Sequence, residues 1–218
     1  MALSINPFFS VPFATLQLED AGPLCASLRD LFLRSEGERN RNLTRRDAQY
    51  GLFESKLDLH TWPDAPVQQL FGFIHHALAS TLHQLSQFAP QEYERLEFNY
   101  HSWFHITRND GHQACHNHPM ASWSGIFCVD PGDSPPNQPQ SGSVRFLDPR
   151  PGAEMYLDAG NERMRGQYHQ GGFEFHHSMG QLVLFPSYVY HEVMPYLGTR
   201  PRMVVAFNSW IRIADQPA

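Results

Sequence analysis

Charged side chains are scarce in this chain: Asp, Glu, Lys and Arg make up 17% of its 218 residues, against about 25% in an ordinary soluble domain. With 41% hydrophobic residues, that balance excludes a disordered chain, which lacks the apolar mass to offset the entropy of ordering. Positive charge is in the minority, with 16 Lys and Arg against 22 Asp and Glu and a net charge of −6. Such a chain has no general attraction for phosphate backbones, so nucleic acid is not an expected partner. No apolar run approaches the roughly 20 residues that a membrane helix needs. Met1 to Pro12 also lacks the basic segment followed by an apolar run that marks a secretory signal. Neither a membrane partner nor export is therefore expected. Cysteine is rare as well: Cys25, Cys115 and Cys128 are odd in number and lack metal-type spacing. A reduced, cytoplasmic chain is the simplest reading.

Turn formers and histidine are what the chain has in quantity. Its 17 prolines and 15 glycines point to a turn-rich, mostly β architecture. A chain of this length buries roughly 70% of its unfolded surface, so it needs neither disulfides nor metal merely to hold together. Of 13 histidines, five (His101, His105, His112, His116 and His118) fall within 18 residues.

The first 94 residues read as a helical flank with edge strands. Asp20 is placed to cap a helix burying Leu24, Leu28, Leu31 and Phe32, whose spacings of three and four residues are helical. A second helix is predicted from about Pro66 to Phe88, with a stripe running from Val67 through Ile74 and Leu82 to Leu85. On it, His75, His76 and His83 read as exposed or partly packed rather than as ligands. Residues 36–49 are polar, of mixed charge and without periodicity, which suggests a solvated loop or a lid over a ligand. From Leu96 the texture changes to short apolar runs (SWFHI, SGIFCV, GSVRFL, QLVLFP and MVVAFNSWI) separated by turn clusters such as DPGDSPPNQPQSG. That pattern is expected of a β sandwich or barrel. No flexible linker marks the boundary near residue 95, so residues 1–218 read as a single domain with a β core over 95–212.

The strongest local signal is His116-Asn117-His118-Pro119. On an extended strand, residues i and i+2 point to one face, so the two imidazoles would project together. Neutral imidazole suits divalent iron, zinc or copper. Seventy-three residues beyond His118, the apolar run Leu182 to Phe185 leads past a turn to His191, and Arg202 follows 11 residues later. If these two strands form a hairpin centred near Leu197, His191 lies opposite about Val204 and Arg202 is its diagonal neighbour on the same face. A metal on His191 and a guanidinium on Arg202 could then hold opposite ends of one small dicarboxylate. Iron(II) with three facial protein ligands keeps positions open for a 2-oxo acid and dioxygen, and arginine supplies a bidentate fork for the distal carboxylate.

The blocks SWFHITRNDGHQACHNHP, WSGIFCV, SGSVRFLDPR and GQLVLFPSYVYHEVMPYLGTRPRMVVAFN, in that order over residues 95–211, resemble a bacterial family of 2-oxoglutarate/Fe(II)-dependent oxygenases. The resemblance implies a double-stranded β-helix, a cupin-like jelly roll, with metal and co-substrate inside its mouth. It also implies an oxygenase activity that uses Fe(II), 2-oxoglutarate and dioxygen to hydroxylate a small-molecule substrate. Carried over by position, His116 and His191 match the two family histidines and Arg202 the basic residue for the co-substrate. The wider superfamily has Asp or Glu two residues after the first histidine, whereas this chain has His118. Either the site holds three histidines, or a carboxylate arrives from elsewhere, with Asp110, Glu174 and Glu192 as candidates.

Asn208 shares a strand face with Arg202 and is a candidate contact for co-substrate. Trp103, Trp123 and Ser124 are candidate pocket walls, and His105 could support a metal ligand. His176 and His177 point to opposite faces, so at most one meets the pocket, and Cys115 faces away from the metal. A zinc hydrolase or hydratase, and a non-catalytic metal-binding jelly roll, are the competing readings. A homodimer is compatible with a jelly roll carrying a helical flank.

Overall fold

The computed structural model describes residues 3–44 and 49–214. Nine strands form one antiparallel sheet: β1 (Ala14–Gln17), β2 (Gln49–Glu54), β3 (Leu96–His116), β4 (Trp123–Asp130), β5 (Val144–Phe146), β6 (Phe173–Phe175), β7 (Gln181–Pro186), β8 (His191–Val193) and β9 (Arg202–Ile213). Their order is β1-β7-β4-β9-β3-β8-β5-β6, with β2 beside β3. The helices α1 (Ala21–Ser35), α2 (Ala65–Leu85) and the single turn α3 (Pro90–Tyr93) precede the long strand β3.

The central strands are covered on both faces, which is why they read as continuous apolar runs. Along β9, Met203, Val205 and Phe207 pack with Phe127 and Leu184 against Leu28, Phe32, Leu70 and Ile74 of the two helices. The alternate residue Val204 belongs to a second cluster with Ile126, Val144, Phe146 and Phe185, inside the curl of the sheet. The period-two alternation of strand side chains thus divides each central strand between a helix-facing core and an inner chamber.

β3 ties the two leaves of the curl together. Leu96 to Thr107 pairs with β9, and Gln113 to His116 pairs with β8. Between those stretches Asp110 sits at φ 65°. At Gly111 an added Cβ would lie 2.6 Å from Thr107 Cγ2 and 2.7 Å from the Gly51 carbonyl, so only glycine allows the strand to turn here. The result is the double-stranded β-helix implied by the sequence resemblance, and each of the five apolar runs read as strands contains one, although GSVRFL is strand only over Val144–Phe146.

Three local expectations fail for identifiable reasons. The hairpin between the strand leading to His191 and the strand opening at Arg202 does not form: β8 pairs with β3 and β5, and β9 with β3 and β4. Pro195 and Pro201 have no N–H for a ladder. Tyr196 between them carries the chain across to the other leaf, its N–H bonding the Gly111 carbonyl (3.0 Å) and its O–H bonding Asp133 Oδ1 (2.9 Å). Asp20 does precede α1, but at φ 47° and ψ 38° its side chain makes no cap hydrogen bond; a capping side chain needs an extended backbone to reach the first turn. Helix α2 ends at Leu85, which is 52% exposed, because the Ser86 N–H closes back on Leu82 and the chain turns toward Pro90.

The predicted loop 36–49 is partly strapped down. Asn42 N–H bonds the Glu54 carbonyl (2.9 Å), Lys56 N–H bonds Asn40 (2.8 Å), and Arg108 forks onto Glu36 at 2.6 and 2.7 Å. Residues 45–48, which a lid would include, lie outside the described residues. Among the described residues, no helix is long and apolar enough to cross a membrane.

Candidate metal centre and its cavity

His116 is the last residue of β3 and is paired directly with His191, the first of β8. His118 follows two residues after the strand end, its N–H held by the Ser187 carbonyl at 2.9 Å. The three rings lie with centroids 4.5–5.3 Å apart, and a nitrogen from each falls within 4.8 Å of the others. Two backbone contacts prepare them for a cation. His116 Nδ1 lies 2.7 Å from the Ala114 carbonyl and His191 Nδ1 3.0 Å from the Val189 carbonyl. A ring that donates Nδ1–H to a carbonyl carries its lone pair on Nε2, the form a metal takes. Burial, and then the neighbouring His116, push the His191 pKa down to about 3, so the ring stays neutral and able to ligate at any ordinary pH. The donor set therefore fits a divalent first-row metal with open positions.

The rings open onto a common cavity. Trp103 and Ser124 line it, and so do His105, Gln113 and Arg202. Trp123 and Asn208 do not. Trp123 packs toward the helical core, and Asn208 Oδ1 accepts a hydrogen bond from Ser124 Oγ (2.8 Å), one residue removed from the cavity. None of the three alternative carboxylates reaches the cavity. Glu174 and Glu192 pair with Arg145 at 3.3 and 3.0 Å, and Asp110 occupies the bend of β3. Cys115 is exposed.

Arg202 is the unusual member. It is 4% exposed, no carboxylate pairs with it among the described residues, and no acidic residue lines the cavity. Burial lowers its pKa, with Cys128 and Tyr196 as its polar neighbours. A buried charge is expensive unless it is paired and hydrogen-bonded, so an anion entering the cavity would meet a guanidinium with no competing carboxylate among the described residues.

Sequence reasoning missed Glu54. This carboxylate on β2 is 2% exposed and lies 2.8 Å from His105 Nε2. Asn42 Nδ2 donates to its other oxygen at 2.7 Å. Trp103 Nε1–H points at the same His105 nitrogen (3.0 Å), and the Trp103 ring lies 5.9 Å from that of His118. A polar network thus backs one wall of the metal cavity. The only sequence signal was a lone acidic residue at the end of a short apolar stretch.

Residues 101–208 match the profile of a protein family described as "Putative 2OG-Fe(II) oxygenase". A search among curated proteins finds no match. Among solved structures, a Pseudomonas putida prolyl-4-hydroxylase superposes with a TM-score of 0.59 at 17% identity, covering 92% of each chain. HygX from Streptomyces hygroscopicus, solved with nickel, 2-oxoglutarate and hygromycin B, gives 0.57 at 11% identity, covering 93% of this chain and 84% of its own. A Trichoplax adhaerens prolyl hydroxylase, solved with a hypoxia-inducible-factor peptide, gives 0.55 at 11%, covering 91% and 83%. At these identities the likeness is one of fold.

Proposed function

We propose that this chain, whose residues 101–208 match the 2OG-Fe(II) oxygenase family, is an Fe(II)- and 2-oxoglutarate-dependent dioxygenase hydroxylating a C–H bond of a small-molecule substrate. His116, His118 and His191 would hold the metal, and Arg202 the distal carboxylate of 2-oxoglutarate. Bound iron with the chelated keto acid supplies the activation of dioxygen. The observation that carries the reading is Arg202, a buried cation with no counter-ion among the described residues, on the same cavity wall as three metal-competent imidazoles.

Each protein group has a physical task. Backbone carbonyls fix the tautomers of His116 and His191, so neither ring must reorganise to bind. Arg202 offers parallel charge-assisted hydrogen bonds that set the orientation of a dicarboxylate along the cavity. Ile126, Phe185, Val204 and Phe207 keep the walls apolar and dry, which protects a reactive centre from side reactions. Asn208 acts through Ser124 rather than by touching co-substrate. The free cysteines fit a reduced, cytoplasmic setting. A zinc hydrolase is the weaker reading: it leaves Arg202 without a role and finds no carboxylate base in the cavity among the described residues.

The test is oxygen uptake by the Fe(II)-loaded chain. The reading expects consumption that requires 2-oxoglutarate and yields succinate, even without primary substrate, at a slow rate. Uptake indifferent to 2-oxoglutarate, with metal bound, would remove it.

A further inference from the structure

Arg202 borders two cavities. Besides the metal cavity, it lines a second, more open one formed by the 131–143 loop together with His176 and His177. It is the only residue shared by the two linings. Although the chain carries a net charge of −6, no Asp or Glu among the described residues lines this second cavity. The loop is built to approach the arginine closely: at Gly142, with φ +67°, an added Cβ would lie 3.1 Å from Arg202 Cδ.

Several donors around this cavity lack acceptors. Neither ring nitrogen of His177 makes a hydrogen bond among the described residues, although both are buried; the Ile126 main chain is near enough to act on the ring but outside bonding geometry. Ser141 Oγ accepts from the Leu197 N–H (2.8 Å) and from Ser134 Oγ (3.1 Å), which leaves its own O–H to give. A guanidinium has five N–H donors, and one bidentate carboxylate uses two.

We infer that the cavity behind Arg202 is a second anion site, which takes a small oxyanion, carboxylate or phosphate, on guanidinium donors that the co-substrate does not use. Two anions on one cation repel each other, so each weakens the other without excluding it. Small cellular anions would in this way tune the affinity for 2-oxoglutarate. The site itself does not depend on the oxygenase reading; only this coupling does.

The test titrates the metal-free full-length chain with inorganic phosphate, and separately with acetate, following heat by calorimetry. Saturable binding is expected, lost in Arg202→Met and strongly weakened in His176→Glu and Gln138→Glu, two exposed positions at which a new negative charge does not threaten folding. A preference for phosphate or for acetate identifies the source of the ligand. In the anaerobic, metal-loaded chain saturated with 2-oxoglutarate, phosphate should still bind, with affinity reduced on the order of fivefold or more. Three results would overturn the inference: no saturable binding of either anion, binding indifferent to His176→Glu and Gln138→Glu, or complete mutual exclusion of phosphate and 2-oxoglutarate. If 2-oxoglutarate fails to bind while phosphate behaves as described, the oxygenase reading falls and the anion site stands.

Discussion

Replacing Arg202 by methionine has two consequences of opposite sign. Without ligand, the wild-type chain keeps a guanidinium that is 4% exposed and has no carboxylate beside it among the described residues. Substituting buried ionic groups by apolar side chains of similar volume stabilises proteins by about 1–4 kcal/mol. We take the lower half, about 1–2 kcal/mol, because two cavities give water some access to the group. For a chain of this length each kcal/mol moves Tm by about 2–4 °C, so the ligand-free variant should melt about 2–8 °C higher. Binding changes the other way. Removing one partner of a buried charge pair costs about 2–5 kcal/mol, which weakens 2-oxoglutarate about 30-fold to several thousand-fold. The assay is thermal unfolding of both proteins with a redox-inert divalent metal, with and without 2-oxoglutarate. At a hundred times its Kd the keto acid stabilises wild type by about 2.7 kcal/mol, and at the same concentration it should stabilise the variant by less than about 1 kcal/mol. A ligand-free variant less stable than wild type, or one stabilised by 2-oxoglutarate as strongly as wild type, would refute the view of Arg202 as a stranded charge awaiting an anion.

Three further outcomes follow from the same geometry. His177 and His191 are both held near a pKa of about 3 by burial, while in the unfolded chain each takes a proton near about 6.5. Protons therefore favour the unfolded state between those values. Stability of the metal-free chain is intact above about pH 6.5 and falls below it by about 1.4 kcal/mol per unit for each ring. Urea unfolding should show a loss of about 3–4 kcal/mol from pH 7 to pH 5, and equal stability at both would contradict the burial of these rings. Gly142→Ala places a Cβ 3.0 Å from Tyr196 Cδ2 at a positive φ, so it should cost about 1 kcal/mol or more in urea unfolding and raise the KM for 2-oxoglutarate by shifting Arg202. Glu54→Ala leaves buried His105 without its carboxylate and should cost about 2 kcal/mol; an unchanged urea midpoint would mean that the pair adds nothing.

The parts of the centre that rest on local periodicity were readable before any coordinates. His116 and His118 do come together, but His118 lies two residues past the end of β3, so the pair was legible in its spacing while the strand expected to carry both was not; β4, β7 and β9 announced themselves as buried apolar runs. The pairing of the leaves was not readable in the same way. His191 and Arg202 are close in sequence, which suggested a hairpin, yet both meet on β3, a strand whose polar stretch from Thr107 to Ala114 hides its continuity. Pro195 and Pro201 were the available warning, since neither could donate to a hairpin ladder. Glu54 and the cavity behind Arg202 depend on contacts between distant loops and strands, and nothing in their local sequence points to a partner.

The central claim is that three histidines and Arg202 together hold a metal-bound 2-oxo acid. Anaerobic titration of the Fe(II)-loaded chain with 2-oxoglutarate, followed by visible absorption, tests it most directly. The account predicts a weak charge-transfer band in wild type that disappears in His191→Ala and His118→Ala and requires far more co-substrate in Arg202→Met. A band that persists in His118→Ala would contradict the three-histidine site, and no band in wild type with iron bound would contradict the oxygenase itself.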